Sequence, residues 1–206
     1  MSGDSDRFVF DSAGRSDTGR VRNHNEDSFL ELPPAGVWVV ADGMGGHHAG
    51  DIASRIICEE IGSVGVPVSA QDQRARVTER LERAHQRILS HSEVQELLAA
   101  GSISEDEARV WPRKNVITRA IGIHERPNTE TVTGVVQPDD LFLLCSDGLT
   151  EHLSDAELTQ ALSGSRSADV IADALVAETL VRGARDNVTV IVLRCMARDD
   201  DPGFDG

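Results

Sequence analysis

Three aspartates share one local setting in the sequence, and their spacing suggests metal chemistry. Each lies at an end of an apolar run, beside a residue that allows a sharp turn: Asp42 in VVADGMGG, Asp147 in LFLLCSDGL and Asp186 in ARDNVTVIV. Carboxylates on rigid elements are the oxygen ligands that hard divalent cations prefer. Magnesium or manganese fits better than zinc, because the chain has no His/Cys cluster with zinc spacing. The alternative for any single Asp-Gly pair is plain turn chemistry.

A fourth segment, VRNHNED, adds one cation and two carboxylates. Arg22 stands four residues before Glu26 and five before Asp27. Arginine offers a planar fork to phosphate oxygens, and two adjacent carboxylates can hold metal-bound water. If this segment begins a strand, Arg22 and Glu26 share a face, and Asp27 points the other way unless the backbone bulges. A surface ion pair that stabilises little is the alternative.

Apolar runs and amphipathic periods predict the elements that present these residues. The fully apolar run Leu141–Cys145 predicts a strand that is buried on both faces. Ser154 and Glu157 have the spacing of a capping box at the start of a helix. The other predicted strands are 7–13, 27–32, 37–42, 115–123, 131–136 and 188–193, and the other predicted helices are 50–62, 71–89, 93–100, 105–110 and 168–181.

This order of elements favours an α+β fold, in which sheets and helices form separate layers. A Rossmann fold is disfavoured, because the glycines after the third strand, Gly43, Gly45 and Gly46, follow an aspartate instead of opening a phosphate-binding loop after the first strand. The length of 206 residues predicts one domain.

Composition excludes several classes of function. Thirty-five acidic against 20 basic residues leave a net charge of −15, which disfavours nucleic acid and anionic lipid as partners. The N-terminal sequence has neither a signal-peptide pattern nor a membrane span. The three cysteines, Cys58, Cys145 and Cys195, form no C-x-x-C pair, so we expect a reducing, cytoplasmic environment.

Five blocks of sequence occur in an order that resembles a known family. They are SDTGRVRNHNEDSF, VVADGMGGHHAGDIAS, HSEVQELLAAGSISEDEARVWPRKNVITRAIG, DLFLLCSDGLTEHLSD and RDNVTVIVL, and together they cover more than half of the chain. The sequence resembles the bacterial type 2C (PPM, metal-dependent) serine/threonine protein phosphatases. The resemblance implies a β-sandwich flanked by helices, in αββα layers, over residues 1–198. It also implies a flap-like helical subdomain at 91–113 and leaves an acidic tail at 199–206.

Position by position, the resemblance implies a site for at least two Mn²⁺ or Mg²⁺ ions. Asp42 would bridge two ions, and the carbonyl of Gly43 would bind the first. The second ion would take Asp147 and Asp186. A water shared by both ions would attack phosphorus in line, so that no nucleophile from the protein is needed.

The same resemblance assigns roles to the VRNHNED segment and its surroundings. Glu26 and Asp27 match carboxylates that reach the metals directly or through water, and Arg22 matches the arginine that holds the substrate phosphate. Met44 stands where some members have a histidine. His47 and His48, in the nearby sequence GGHHAG, are alternative proton donors, but metal-bound water is the preferred donor to the leaving oxygen. Ser146 is expected to make a supporting hydrogen bond.

The sequence also departs from the family pattern after Ile88. The family continues there through a G-M-G-T-T-like strand and further strands that contain G-D-S-R, whereas this chain reaches His91 almost at once. Part of the central strands of the sandwich is therefore absent, together with the aspartate usually linked to a third metal site. Unpaired sheet edges would make the chain unstable or self-associating.

Two functions remain open at this stage. The first is a phosphatase acting on phosphoserine and phosphothreonine in proteins, with a bacterial Ser/Thr kinase and its substrates as partners. The second is a catalytically impaired relative that binds phosphoproteins or has a regulatory role. A two-metal nuclease is disfavoured by the charge and by the ordered blocks.

Overall fold

The computed structural model describes residues 8–44, 49–90, 120–122, 127 and 129–198 of the chain. Within these ranges, ten regular elements and one 3₁₀ turn at Pro33–Ala35 occur. The strands are β1 (Phe8–Asp17), β2 (Ser28–Leu32), β3 (Val37–Ala41), β4 (Leu141–Cys145) and β5 (Val188–Ala197), and the helices are α1 (Ala49–Gly62), α2 (Ala70–Ser90), α3 (Asp147–Thr150), α4 (Asp155–Leu162) and α5 (Ala168–Val181).

The first sheet is antiparallel and has the order β1-β5-β4. Val192 in β5 lies between Ala13 of β1 and Leu143 of β4. One face of this sheet packs against α3, α4 and α5 through an apolar cluster that includes Val190, Ile171 and other buried side chains. β5 is thus the central strand, and most of its side chains are buried.

The second sheet is the β2-β3 hairpin, in which Leu32 pairs with Val37. One face, which carries Leu30 and Val39, packs on α1 and α2. The opposite face meets the first sheet, where the rings of Phe10 and Trp38 make an edge contact with centroids 4.9 Å apart. The layer order is therefore helices, β1-β5-β4, β2-β3, helices, which confirms the predicted αββα arrangement.

β4 is less buried than its sequence predicts. It is an edge strand of the first sheet among the described elements, and Phe142 keeps 38% of its surface exposed. The expectation that this apolar run is buried on both faces is wrong, because strand position in the sheet decides burial. β5 occupies the buried position instead, with Val190, Ile191 and Val192 all at 0%.

The prediction of a strand at 131–136 is also wrong. These residues have no regular structure, and the side chains of Val132 and Val135 are 91% and 88% exposed. Their β-branched composition favours a strand, but the described part of the chain offers no neighbouring strand for them to pair with. Strand propensity alone does not form a strand without a partner.

Some predictions lie outside the described residues. They are the two helices at 93–100 and 105–110, the flap at 91–113, most of the strand at 115–123 and the tail at 199–206. Ser154 and Glu157 do form the predicted capping box at α4. Among the described residues, no helix combines the length and apolarity that crossing a membrane requires.

Candidate active site

The three pattern aspartates meet at one end of the sandwich. Asp42 directly follows β3, Asp147 is the first residue of α3 after β4, and Asp186 lies two residues before β5. Because β4 and β5 are antiparallel, the end of one and the start of the other lie at the same edge of the sheet. The short helix α3 was not predicted from the sequence, since it begins within the Asp-Gly turn itself.

Gly148 explains how Asp147 and Asp186 come together. A Cβ atom at Gly148 would lie 2.0 Å from the carbonyl oxygen of Asn187. Only glycine allows α3 to approach the backbone before β5 so closely. The Asp147-Gly148 pair therefore allows close backbone packing in addition to forming a turn.

Gly43 has the same role on the other side of the site. A Cβ atom there would lie 2.2 Å from the carbonyl oxygen of Glu26 and 2.3 Å from that of Gly50. The end of β3, the start of α1 and the segment before β2 thus touch through their backbones. This contact brings Glu26 to the carboxylates.

The raised pKa of Asp42 reflects the proximity of the other carboxylates of the site. Burial is the main cause, and together with the charges of Asp27, Asp147 and Asp186 it raises the pKa of Asp42 to about 7. A hydrogen bond from the backbone N–H of Asp147 partly opposes this rise in pKa. Burial is also the main cause of the raised pKa values of Glu26 and Asp27. Mutually repelling carboxylates of this kind favour a bound cation.

Asp27 is held toward the other carboxylates, in contrast to the strand-alternation prediction. The hydroxyl of Ser146 donates to Oδ2 of Asp27 at 2.7 Å and accepts the backbone N–H of Thr189 at 3.0 Å. The prediction fails because residues 18–27 form a loop, so that the period of a strand does not apply. The supporting role expected for Ser146 is confirmed.

Arg22 lies at the exposed side of the cluster. Its guanidinium donates to Oδ2 of Asp186 at 2.8 Å, and 38% of the side chain is exposed. The hydrogen bond to Asp186 is the main cause of its raised pKa, to which the charges of Glu26 and Asp147 also contribute. The simple Arg22–Glu26 surface pair is therefore not the arrangement found.

The donor set fits a hard divalent cation by its chemistry. It consists of carboxylate oxygens and the Gly43 carbonyl, which are magnesium and manganese ligands. Within the described residues, no three His, Cys, Asp or Glu side chains stand in ligating geometry. Two of the carboxylates are turned to other partners, Asp186 to Arg22 and Asp27 to Ser146. Ion binding would therefore require these side chains to turn.

Sequence reasoning missed Asn187, whose side chain ties the site together. Asn187 is 5% exposed and accepts the backbone N–H of Glu26 at 2.9 Å. The available signal was a polar residue between Asp186 and the apolar run of β5, but its partners are remote in sequence. Met44, at the position after the Asp-Gly pair, is 51% exposed, and His47 and His48 lie outside the described residues.

Known proteins are similar to this chain in both sequence and fold. The serine/threonine phosphatase stp of Listeria innocua is 28% identical over 235 residues, which span 87% of this chain and 93% of the relative. The solved structure of PppA, described as a key regulatory component of T6SS in Pseudomonas aeruginosa, is 32% identical. It covers 91% of this chain and 98% of its own, with a TM-score of 0.79. The chain belongs to the type 2C, or PPM, family of serine/threonine phosphatases.

Two further similarities agree with membership of this family. The catalytic domain of the phosphatase PstP, solved with two manganese ions, is 26% identical to this chain, with a TM-score of 0.68 and coverage of 92% of this chain and 99% of that domain. The profile of the Stage II sporulation protein E (SpoIIE) family matches residues 103–196.

The alignment with the Listeria relative also bears on chain length. It runs over 235 positions, more than the 206 residues of this chain, so it places gaps within this chain.

Proposed function

We propose that this PPM family member is a metal-dependent phosphatase that hydrolyses phosphoserine and phosphothreonine in proteins. One observation carries the proposal: five carboxylates from four segments of the chain converge, with an exposed arginine at their edge. The carboxylates are Glu26, Asp27, Asp42, Asp147 and Asp186, and the arginine is Arg22. The two manganese ions bound by the PstP catalytic domain support the choice of metal.

Each side chain has a distinct task in this proposal. Asp42, Asp147, Asp186 and the Gly43 carbonyl would hold Mn²⁺ or Mg²⁺, while Glu26 and Asp27 would orient water around the ions. When bound, the ions make a water molecule acidic enough to attack phosphorus near neutral pH, and they offset charge on the phosphoryl oxygens. The carboxylates supply the negative field that retains such ions.

Arg22 would bind the phosphate of the substrate. The guanidinium of Arg22 already donates a hydrogen bond to Asp186. A phosphate that binds the guanidinium in place of Asp186 would free this aspartate to bind the metal. Binding of the substrate phosphate would therefore favour binding of the metal, and the reverse. Water is the proposed proton donor to the leaving serine or threonine oxygen, because Met44 cannot donate a proton.

Phosphorylated proteins of a cytoplasmic kinase system are the proposed substrates and partners. PppA is described as a regulatory component of a type VI secretion system, so phosphoproteins of such a system are suitable first substrates to test. The experiment measures manganese-dependent hydrolysis of p-nitrophenyl phosphate and of a phosphothreonine peptide. Asp42→Asn and Asp147→Asn should lose activity by at least about a hundredfold.

A matched control is Asp155→Asn, which removes an exposed carboxylate at the start of α4, away from the cluster. It should retain wild-type rates. Equal rates in the wild-type and Asp42→Asn proteins would overturn the proposal.

A catalytically impaired phosphoprotein-binding module is the second candidate. The exposed Phe142 on β4 and the gaps in the alignment favour it, since an incomplete sandwich would position the ligands poorly. Tight binding of the phosphothreonine peptide without release of phosphate would support this candidate.

A further inference from the structure

The loop that carries Arg22 and Glu26 is held to the core by several hydrogen bonds, and one side chain makes three of them. Residues 18–27, here called the β1–β2 loop, contain no helix or strand. Their exposed middle includes Arg20, Val21 and Arg22. Such a loop requires external contacts to hold a phosphate-binding group in one place.

Asn187 supplies three of these contacts from a buried position. Its Nδ2 donates to the carbonyls of Thr18 and His24, both at 2.9 Å, and its Oδ1 accepts the N–H of Glu26 at 2.9 Å. These three backbone groups lie near the beginning and the end of the β1–β2 loop. A single amide therefore ties both ends of the loop to the start of β5.

Other contacts of the loop do not replace those of Asn187. The backbone N–H of Arg20 donates to the carbonyl of Ala184 at 2.8 Å, which holds one point near the beginning of the loop. Asn25 bonds Ser16 and the backbone of Asp27, both of which belong to the same stretch of chain. Without Asn187, the loop would still be tied to the core by the Arg20 contact near its beginning, the exposed Arg22–Asp186 pair and the Ser146–Asp27 hydrogen bond at its end, and none of these binds the backbone at His24 or Glu26.

We propose that Asn187 is a positioning residue, which holds the β1–β2 loop so that Arg22 faces the substrate phosphate and Glu26 faces the carboxylate cluster. This inference rests on the proposed phosphatase function for its catalytic consequence. The side chain of Asn187 hydrogen-bonds backbone groups of the loop, so its proposed role is to position Arg22 and Glu26. Its loss should therefore act on binding of the phosphate through Arg22, while Asp42, Asp147 and Asp186 keep their own supports.

The first test is kinetic and uses Asn187→Ala in the full chain. KM for the phosphothreonine peptide should rise about tenfold, as expected when buried hydrogen bonds are lost, with a much smaller change in kcat. Inhibition by inorganic phosphate should weaken by a similar factor. Asn187→Asp keeps the acceptor for Glu26 but turns a carboxylate oxygen toward the carbonyls of Thr18 and His24, so its KM should rise at least as far as that of Asn187→Ala.

The second test needs no activity and so separates this inference from the proposed function. Trypsin cleaves after arginine, and Arg20 and Arg22 lie in the β1–β2 loop. In metal-free protein under native conditions, Asn187→Ala should be cut at these two sites about tenfold faster than the wild type, as mapped by mass spectrometry. This difference should persist even if the wild-type chain proves inactive.

Two controls separate positioning from a general loss of stability. Thr179→Val removes a buried hydroxyl bonded to the Leu175 carbonyl in α5, and Asn23→Ala changes an exposed residue of the loop itself. Neither should alter KM or cleavage at Arg20 and Arg22. Wild-type loop cleavage in Asn187→Ala, or a loss of kcat with unchanged KM, would overturn the inference.

Discussion

Assembly of the site destabilises the charged form of Asp42. Its carboxylate follows β3 and is surrounded by Asp27, Asp147 and Asp186, and burial together with their charges raises its pKa to about 7. The ordinary pKa of an aspartate is 3.8. In the absence of metal, folding therefore favours the protonated form of Asp42.

The raised pKa of Asp42 makes the stability of the metal-free protein depend on pH. The folded protein holds the Asp42 proton more tightly than the unfolded chain, so metal-free stability should fall as pH rises from about 4 to about 7. Asp42→Asn should reduce this slope, and it should be more stable than the wild type at pH 8 by about 1 kcal/mol after allowance for solvent screening. Urea unfolding in EDTA at pH 5 and pH 8 measures the effect.

Manganese provides the complementary measurement for the same pair of proteins. Added Mn²⁺ should stabilise the wild type at pH 8 and should stabilise Asp42→Asn much less, because a ligand that binds the folded state alone raises its stability. A wild-type protein whose metal-free stability rises between pH 5 and pH 8 would contradict this interpretation of Asp42.

At the residue scale, the sequence identified the site residues that are marked by their neighbours in sequence. Asp42, Asp147 and Asp186 were found because each stands beside a turn at an end of an apolar run. Asn187 was missed because Thr18 and His24, whose carbonyls it binds, are more than 160 residues away. The direction of Asp27 was wrong because it lies in a loop instead of a strand, where its direction depends on a contact with Ser146, 119 residues distant.

At the element scale, most strands and helices follow from local pattern, but burial does not. β3 and α1 begin and end close to their predicted limits, because turns and amphipathic periods mark them locally. The burial of β4 was overestimated because the sequence does not specify which strand lies at the centre of the sheet. Strand order depends on long-range pairing, and here β5 takes the central place.

This difference between β4 and β5 can be measured by truncation of one side chain on each strand. Phe142 and Ile191 lie on the same face of the sheet, but Phe142 is 38% exposed and Ile191 is fully buried. Ile191→Ala should lower the free energy of unfolding by about 3 kcal/mol, and Phe142→Ala by about 1 kcal/mol. Chemical denaturation of both variants provides the comparison, and an equal or larger cost at Phe142 would show that β4 is covered in solution.

At the scale of the whole molecule, the described residues leave one side of the sandwich open. The hairpin β2-β3 faces the three-stranded sheet, and Phe142 on the inner face of β4 remains partly exposed. Residues 131–136, which have strand-like composition, pair with none of the described strands, and the side chains of Val132 and Val135 are exposed. Exposed apolar segments of this kind favour association between chains.

We expect the purified chain to self-associate or to have low stability. Association should increase with salt, because the net charge of −15 opposes contact between copies and salt screens it. Sedimentation over a roughly hundredfold range of protein concentration should detect larger species. The double variant Val132→Ser, Val135→Ser should reduce them, whereas Val181→Ser, at a position 81% exposed on α5, should not.

A cooperative melt of a stable monomer at every concentration would contradict this expectation. It would mean that the residues of this chain close the sandwich without help from another copy.

The central claim is that the converging carboxylates bind metal for phosphate release. The most direct measurement is a manganese titration of metal-free protein at pH 7.5 by calorimetry, with release of phosphate from a phosphothreonine peptide followed in parallel. We predict that at least two ions bind per chain and that phosphate release rises with their binding. Asp147→Asn should lose both the manganese binding and the phosphate release. Phosphate release that is unchanged in EDTA, or manganese binding unaffected by Asp147→Asn, would contradict the claim.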